Sequence, residues 1–490
     1  MPNIDLQHPH EFYIDGQWVQ PTGQRRFTVI DCSTEEVAAT VAEAESADIE
    51  RAAAAARRAF DQGPWPRLSH AERAAYMRAI AKEFEARNDE FARGWAIESG
   101  ILYKSAQARI GSYLSGAFTQ YADMAESYPF IESRPSATGN QGFLIREPVG
   151  VVAVIVPWNG PAALIAYKVA PALLAGCTVI VKACPEAPTS ALMFAEICEK
   201  VGLPAGVVNV VTADREVSAE LVANPGVDKV TFTGSTAAGR KIFAACGERI
   251  ARVTLELGGK SPALVLDDYD VETAANTLAG SYFGNLTGQV CHSLTRIIVP
   301  DAKHDAMVEA LSTFGQSLKI GNSFDPESQV GPLASARQRD TVQGYVETAK
   351  AEGARLATGG KRPAGLDRGF FFEPTVFADV DNRMRIAQEE VFGPVLSVIR
   401  ARDEQHAIDM ANDTIFGLNA SVFTNDPDRF LRVSRQIRAG TVGHNGPRTD
   451  FSLGFGGFKQ SGIGREGGTD GLLPFLEEKT VVMDQPFQPA

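Results

Sequence analysis

The stretch Val151-Val152-Ala153-Val154-Ile155-Val156 decides the fold, together with the apolar segment 161–175 and the run Thr178-Val179-Ile180-Val181 behind it. Six apolar residues in a row, with no polar alternation, describe a strand buried on both faces. The segment 161–175 is too long for a strand and reads as a helix, closed by Ala175-Gly176. The pattern then repeats: helix 188–200, strand 207–211, helix 215–223, strand 229–233, helix 235–246, strand 253–257. Short strands alternating with amphipathic helices predict an α/β fold with a parallel, doubly wound sheet. Such sheets bind ligands at the carboxyl ends of their strands.

A second α/β series follows. It runs through strand 263–266, helix 271–284, strand 296–299, helices 303–318 and 335–352, strand 394–399, helix 404–412, strand 419–424, helix 426–438 and strand 441–444. On the N-terminal side, Asp15-Gly16 between apolar flanks predicts a hairpin over 12–19. Helices are expected over 47–60, 71–91 and 105–126. The polar segment 130–147 reads as an extended arm, and 452–468 as a glycine-rich loop. The tail 476–483 reads as an edge strand, which can pair with another chain. The expectation is two doubly wound parallel-sheet domains plus a small β oligomerisation arm. The dinucleotide-binding domain takes 1–127 and 148–258, the catalytic domain 259–460, and the arm 128–147 and 470–490. Arm and tail suggest a homo-oligomer, dimer or tetramer.

Composition sets the outer limits. A chain of 490 residues is too long for one core. Its net charge of −13 argues against a nucleic-acid partner, because no basic stripe could neutralise phosphates. The six cysteines are scattered without a Cys-x-x-Cys pair, and the seven histidines include no His-x-x-x-His. Neither a disulfide framework nor a metal site is expected, and a reducing cytoplasm is the default. Residues 1–12 lack the basic and apolar regions of a signal peptide. The apolar run through the 160s to 181 is long enough to span a bilayer. It is interrupted by Pro161, Lys168, Pro171 and Ala175-Gly176, and reads as a buried helix and strand rather than a membrane span.

Two stretches carry chemistry. Gly288-Gln289-Val290-Cys291 places a cysteine after a turn-forming glycine, and Glu256-Leu257-Gly258-Gly259-Lys260 places a glutamate at the end of a buried strand. One supplies a soft nucleophile and the other a base, as a covalent mechanism ending in hydrolysis requires. The plain alternatives are a small buried hydrophobe for the cysteine and an outward-facing strand residue for the glutamate. Cys32, Cys177, Cys184, Cys198 and Cys246 fit the first of these; Cys291 differs because glycine and polar residues precede it. Asn159, after Pro157-Trp158, offers an amide N–H to an oxyanion beside the Cys291 backbone N–H. Phe232-Thr233-Gly234-Ser235 follows a strand and opens a helix, a place where free N–H groups hold phosphate or where a serine merely caps the helix. Lys182 ends a strand and can donate to ribose hydroxyls or stand as a boundary charge.

With Pro157-Trp158-Asn159 and Glu390-Val391-Phe392-Gly393-Pro394 added, the chain resembles the NAD(P)-dependent aldehyde dehydrogenase superfamily, non-acylating branch, from about residue 12 to 484. The resemblance implies Cys291 as nucleophile, Glu256 as base, Asn159 as oxyanion donor, and Lys168 and Glu466 as aids to proton relay. For the cofactor it implies Lys182 at the adenosine ribose, Ser235 at the pyrophosphate, Glu390 at the nicotinamide ribose and Phe392 beside the nicotinamide, with Trp158, Gly234 and Gly258 as further cofactor contacts. NAD-preferring members often carry a glutamate three residues after this lysine. Here Pro185 stands there and Glu186 follows. Either Glu186 substitutes, or the 2′ position is unguarded and NADP is accepted; NAD is the expectation. Gly160, Ala163, Tyr167, His292, Asn445 and Phe455 would line the aldehyde passage. The small Gly160 and Ala163 imply a wide one, suited to bulky or aromatic aldehydes.

There are departures. The family's usual asparagine five residues before the cysteine is Leu286, with Asn285 one earlier, and His292 follows the cysteine. Two other chemistries use the same residues: acylation of coenzyme A, and thiol-dependent ester hydrolysis. A hydrolytic base is wasteful in the first, and the phosphate-cradling helix start has no role in the second.

Overall fold

The computed structural model describes residues 4–485; the ends of two expected segments, 1–3 and 486–490, lie outside the described residues. Strands Arg252–Glu256, Lys229–Thr233, Val151–Ile155, Thr178–Ala183 and Val208–Thr212 lie side by side in that order, all parallel. Their unbroken apolar character has the expected cause. Val152 and Val154 face one core together with residues of helix Pro161–Ala175, while Val151, Ala153 and Ile155 face a second core behind the sheet. The edges are antiparallel. Hairpin Phe12–Ile14 and Gln17–Val19 closes one, turning through Asp15 and Gly16 at φ 56° and 75°. The two-residue strand Gly462–Ile463, inside the expected glycine-rich loop, closes the other.

A seven-stranded sheet follows, in the order Arg355–Thr358, Thr375–Ala378, Val395–Ala401, Leu294–Pro300, Ser261–Val265, Asn419–Phe423 and Thr441–His444. Only its first pair is antiparallel. It too is covered on both faces, with Leu264, Ile298 and Val422 on one side and Ala263, Val265, Ile297 and Val299 on the other.

Several expectations need correction. The helix expected over 71–91 is two, His70–Ala86 and Asn88–Ser99. Arg87 leaves helical geometry at φ −104°, ψ 16°, and its guanidinium pairs with Glu90 and Glu196, each at 2.7 Å. The helix expected to 438 ends at Ser434. Strands Arg26–Ile30, Val37–Ala42, Arg355–Thr358 and Thr375–Ala378 were not expected. The arm is a hairpin, Ile131–Arg134 with Gln141–Pro148, and the tail strand Leu476–Met483 pairs with it inside the same chain. Among the described residues, no helix is long and apolar enough to cross a membrane.

The two large sheets are stitched together near their strand ends. Ser461 donates its hydroxyl to Gly258 O (2.7 Å) and accepts from Gly417 N (2.9 Å), while Leu257 N donates to Ser461 O (2.9 Å).

Candidate active site

A cavity of about 360 Å³ opens where the carboxyl ends of the first sheet meet the second half of the chain. Cys291, Glu256 and Asn159 line it together with Trp158, Gly160, Ala163, Tyr167, Gly234, Ser235, Gly258, His292, Glu390, Phe392, Phe455 and Glu466. Lys168 lies buried behind it, and Lys182, Glu186 and Asn445 are outside its lining. Asn445 has a local reason: its amide accepts from Thr424 N (2.9 Å) and donates to Thr424 O (3.1 Å), which fixes the end of a strand rather than the passage.

The cysteine is presented by a strained loop. Leu286, Thr287 and Gly288 follow one another at φ 51°, 54° and 74°, left-handed geometry that costs about 1–2 kcal/mol for each residue bearing a side chain. The surroundings hold them there. Thr287 Oγ1 donates to Gly331 O at 2.9 Å. The fully buried Gln289 side chain donates to Leu286 O (3.0 Å) and Ser99 O (3.3 Å) and accepts from Ala334 N (2.9 Å). A Cβ on Gly288 would stand 2.6 Å from Gly393 O, so glycine is required where this loop touches the Glu390–Pro394 turn. Asn159 Nδ2 donates to Gln289 O at 3.0 Å, leaving its second N–H for the cavity. Trp95 Nε1 donates to Asn159 O (2.7 Å) and Ser99 Oγ to Trp158 O (2.6 Å), which hold the Pro157-Trp158-Asn159 turn.

Burial dominates the electrostatics. It pushes the Cys291 thiol up, and the charges of Glu390 and Glu256 push further the same way. Glu256 is 3% exposed and neither of its carboxylate oxygens has a partner among the described residues. Burial, and then Glu466, hold it well above the usual carboxylate range, with Lys168 opposing. Gly456 makes room for it, since a Cβ there would lie 2.8 Å from Glu256 Oε1. Lys168 is fully buried, pairs with Glu466 Oε1, and reaches Thr231 Oγ1 at 3.3 Å. Burial brings His292 down to about 4, a neutral ring at neutral pH, with Nδ1 3.9 Å from Cys291 Sγ.

The nucleotide side fits a dinucleotide. Lys182 is 7% exposed, burial lowers its pKa, and its amine makes no hydrogen bond or ion pair among the described residues, which leaves its donors free for a ribose. Glu390 accepts from Gly259 N at 3.0 Å, and burial raises it to about 7. A Cβ on Gly258 would collide with that carboxylate at 2.4 Å. Phe392, at φ 57°, sets its ring edge-on to Trp158 with centroids 5.4 Å apart. Ser235 Oγ accepts from Ala238 N at 3.3 Å and so acts as the helix cap, the plainer of its two sequence readings. Glu186 is engaged elsewhere: it pairs with Arg337 (2.9 Å) and accepts from Cys184 Sγ (2.7 Å).

The aldehyde side is aromatic. Tyr167 stacks on Phe451 at 4.1 Å, Phe451 lies 4.9 Å from Phe455, and Phe455 meets the His292 ring edge at 6.0 Å. Trp95, Arg109, Tyr113, Leu164 and Phe451 complete this wall, and none carried a sequence signal. Away from the cavity, His304, Asp305 and Asp379 bring metal-ligand atoms together. Arg400 pairs with both aspartates and Arg355 with Asp379, so the cluster is charge-neutralised without an ion.

A nucleophile, an unpartnered buried carboxylate and an amide N–H gather around one cavity. Residues 18–481 match the family model for the aldehyde dehydrogenase family. This chain belongs to that family. It is 42% identical to the geranial dehydrogenase of Castellaniella defragrans over 480 residues, covering 98% of this chain and 99% of the relative. An aldehyde dehydrogenase of Mycobacterium tuberculosis, solved in complex with NAD+, superposes with a TM-score of 0.96 at 42% identity, over 99% of this chain and 100% of that one. A variant of aldehyde dehydrogenase C of Pseudomonas syringae, solved with NAD+ and octanal, superposes with a TM-score of 0.95 at 37% identity over the whole of both chains. The protein is therefore an oxidoreductase that oxidises aldehydes.

Proposed function

We propose that this aldehyde dehydrogenase converts its substrate to the carboxylate with NAD+ and water through a covalent bond to Cys291. The observation that carries the reading is Glu256: a buried carboxylate with two unpartnered oxygens on the same cavity as the cysteine. Burial keeps the resting thiol protonated, so its proton passes to water in the cavity as sulfur adds to the carbonyl carbon. The carbonyl oxygen takes the negative charge, and the Asn159 amide and the Cys291 backbone N–H stabilise it. NAD+, when bound, supplies the acceptor for the hydride leaving that carbon. Lys182, the helix start at Gly234 and Ser235, Gly258, Glu390, Trp158 and Phe392 would hold it. Cys291 is then acylated. Glu256 takes one proton from water as the water oxygen attacks the thioester; the carbon–sulfur bond breaks and the second proton of that water goes to sulfur, which releases carboxylate and restores the thiol. The burial that raises Glu256 makes it the stronger base once ionised. Lys168 and Glu466 behind it can pass the proton on.

The small Gly160 and Ala163 and the aromatic wall favour a bulky or aromatic aldehyde over acetaldehyde. A relative named for geranial and a neighbour solved with octanal support the same reading. The paired Glu186 leaves room for NADP as a weaker alternative. We keep the division into a nucleotide domain (1–127 with 148–258), a catalytic domain (259–460) and an arm (128–147 with 470–490). The free edges of the arm sheet support a homo-oligomer, and six unpaired cysteines suit a reducing cytoplasm.

The test is Glu256→Gln under rapid mixing with benzaldehyde. The expected result is a burst of one NADH per site, followed by turnover about 10²–10⁴-fold slower than wild type. Wild-type steady-state turnover by this variant would remove Glu256 from the role.

A further inference from the structure

The cavity that holds Cys291 also carries, at an exposed position of its wall, a charge that the reaction does not use. Arg109 and Tyr113 stand one turn apart on helix Tyr103–Ser127, and both line the cavity that holds Cys291. Arg109 Nη1 donates to Asn285 Oδ1 at 2.8 Å. Asn285 belongs to the loop that presents Cys291 six residues later, so the guanidinium is indexed to the nucleophile. Arg109 forms no ion pair among the described residues. The carboxylates lining the cavity are Glu256, Glu390 and Glu466, each already placed at the chemical or nucleotide end. Asp450, on the loop leading to Phe451, binds Ser452 through its N–H (2.8 Å) and hydroxyl (2.6 Å) and does not line the passage. A guanidinium carries five N–H donors in a planar fork, and Asn285 takes one.

We propose that Arg109 recognises the far end of the substrate, and that the passage takes aldehydes whose other terminus bears a carboxylate. This rests on the proposed reaction at Cys291 and adds the substrate class to it. A planar carboxylate matches the fork, and the apolar walls between Arg109 and Cys291 match a carbon skeleton that carries no other charge. A cationic tail would meet repulsion at the same point.

The test compares kcat/KM for 4-formylbenzoate and for 4-formylcinnamate, each against its neutral primary amide, in wild type, Arg109→Met and Arg109→Lys. At one length or both, wild type should prefer the acid about tenfold, the usual scale of a charge-assisted hydrogen bond. The preference should appear mainly in KM and shrink with added salt. Arg109→Met should bring the acid-to-amide ratio near one, and Arg109→Lys should keep most of it. The inference fails if wild type shows no preference at either length, or if the ratio survives in Arg109→Met. Absence of NADH formation from both the acids and the amides in wild type would instead count against the proposed reaction itself.

Discussion

Replacing Gln289 by leucine tests whether the loop that carries the cysteine is held by one buried amide. The side chain is fully buried and makes three hydrogen bonds to backbone. Leucine keeps the volume and removes all three. Leu286 O retains a bond from Gln289 N at 3.0 Å, but Ala334 N and Ser99 O lose their Gln289 partner inside the protein. Each such group costs about 1–3 kcal/mol, so the change should destabilise the local structure by roughly 2–6 kcal/mol before the gain from the added apolar surface. The cheapest relief is release of the left-handed geometry at Leu286 and Thr287, which returns about 1–2 kcal/mol per residue. That relaxation moves Cys291 and withdraws the carbonyl that orients Asn159. A displacement on the order of 1 Å at a nucleophile lowers the rate about 10²-fold. The assay pairs a urea unfolding curve with kcat/KM for benzaldehyde. A variant within threefold of wild-type kcat/KM, with an unshifted unfolding midpoint, would refute the claim that Gln289 holds the loop.

Two further outcomes are expected. Glu390 is raised from 4.5 to about 7, so its neutral form is favoured in the folded state. Its contribution to stability is therefore full below 4.5 and fades as pH climbs to about 7. Glu390→Gln should flatten the unfolding midpoint across that window, and an unchanged pH profile would count against the buried carboxyl. Glu186→Gln should raise the NADP+ to NAD+ ratio of kcat/KM, and Arg337→Ala should lower it by leaving the carboxylate unneutralised, each by about fivefold or less for a partly exposed pair. Equal ratios in all three proteins would mean that neither residue reaches the 2′ position.

The parallel strands were legible because both faces are covered, which forces runs such as 151–155 to be apolar throughout. The break at Arg87 was not, since one partner that holds its side chain, Glu196, lies more than a hundred residues away. Strands Arg355–Thr358 and Thr375–Ala378 are four residues each and lie toward one edge of their sheet, too short to show a period. In the site, the residues with distinctive chemistry announced themselves: Cys291, Glu256, Asn159 and Glu390 all reach the cavity. Trp95, Arg109, Tyr113 and Phe451 did not, since a helix face and a loop carry no sign of what they will meet. Asn445 shows the opposite error. A family position suggested the passage, while its amide is held by Thr424.

The bonds around Ser461 bear on how the enzyme exchanges its ligands. Ser461 bonds Leu257 and Gly258 of the first half and Gly417 of the second, so swinging the two halves apart would break its bonds to one side or the other. The groove between the sheets therefore behaves as a bore of set width rather than a jaw. Whatever occupies it must shed water and thread in, and size discrimination falls to the side chains of the wall.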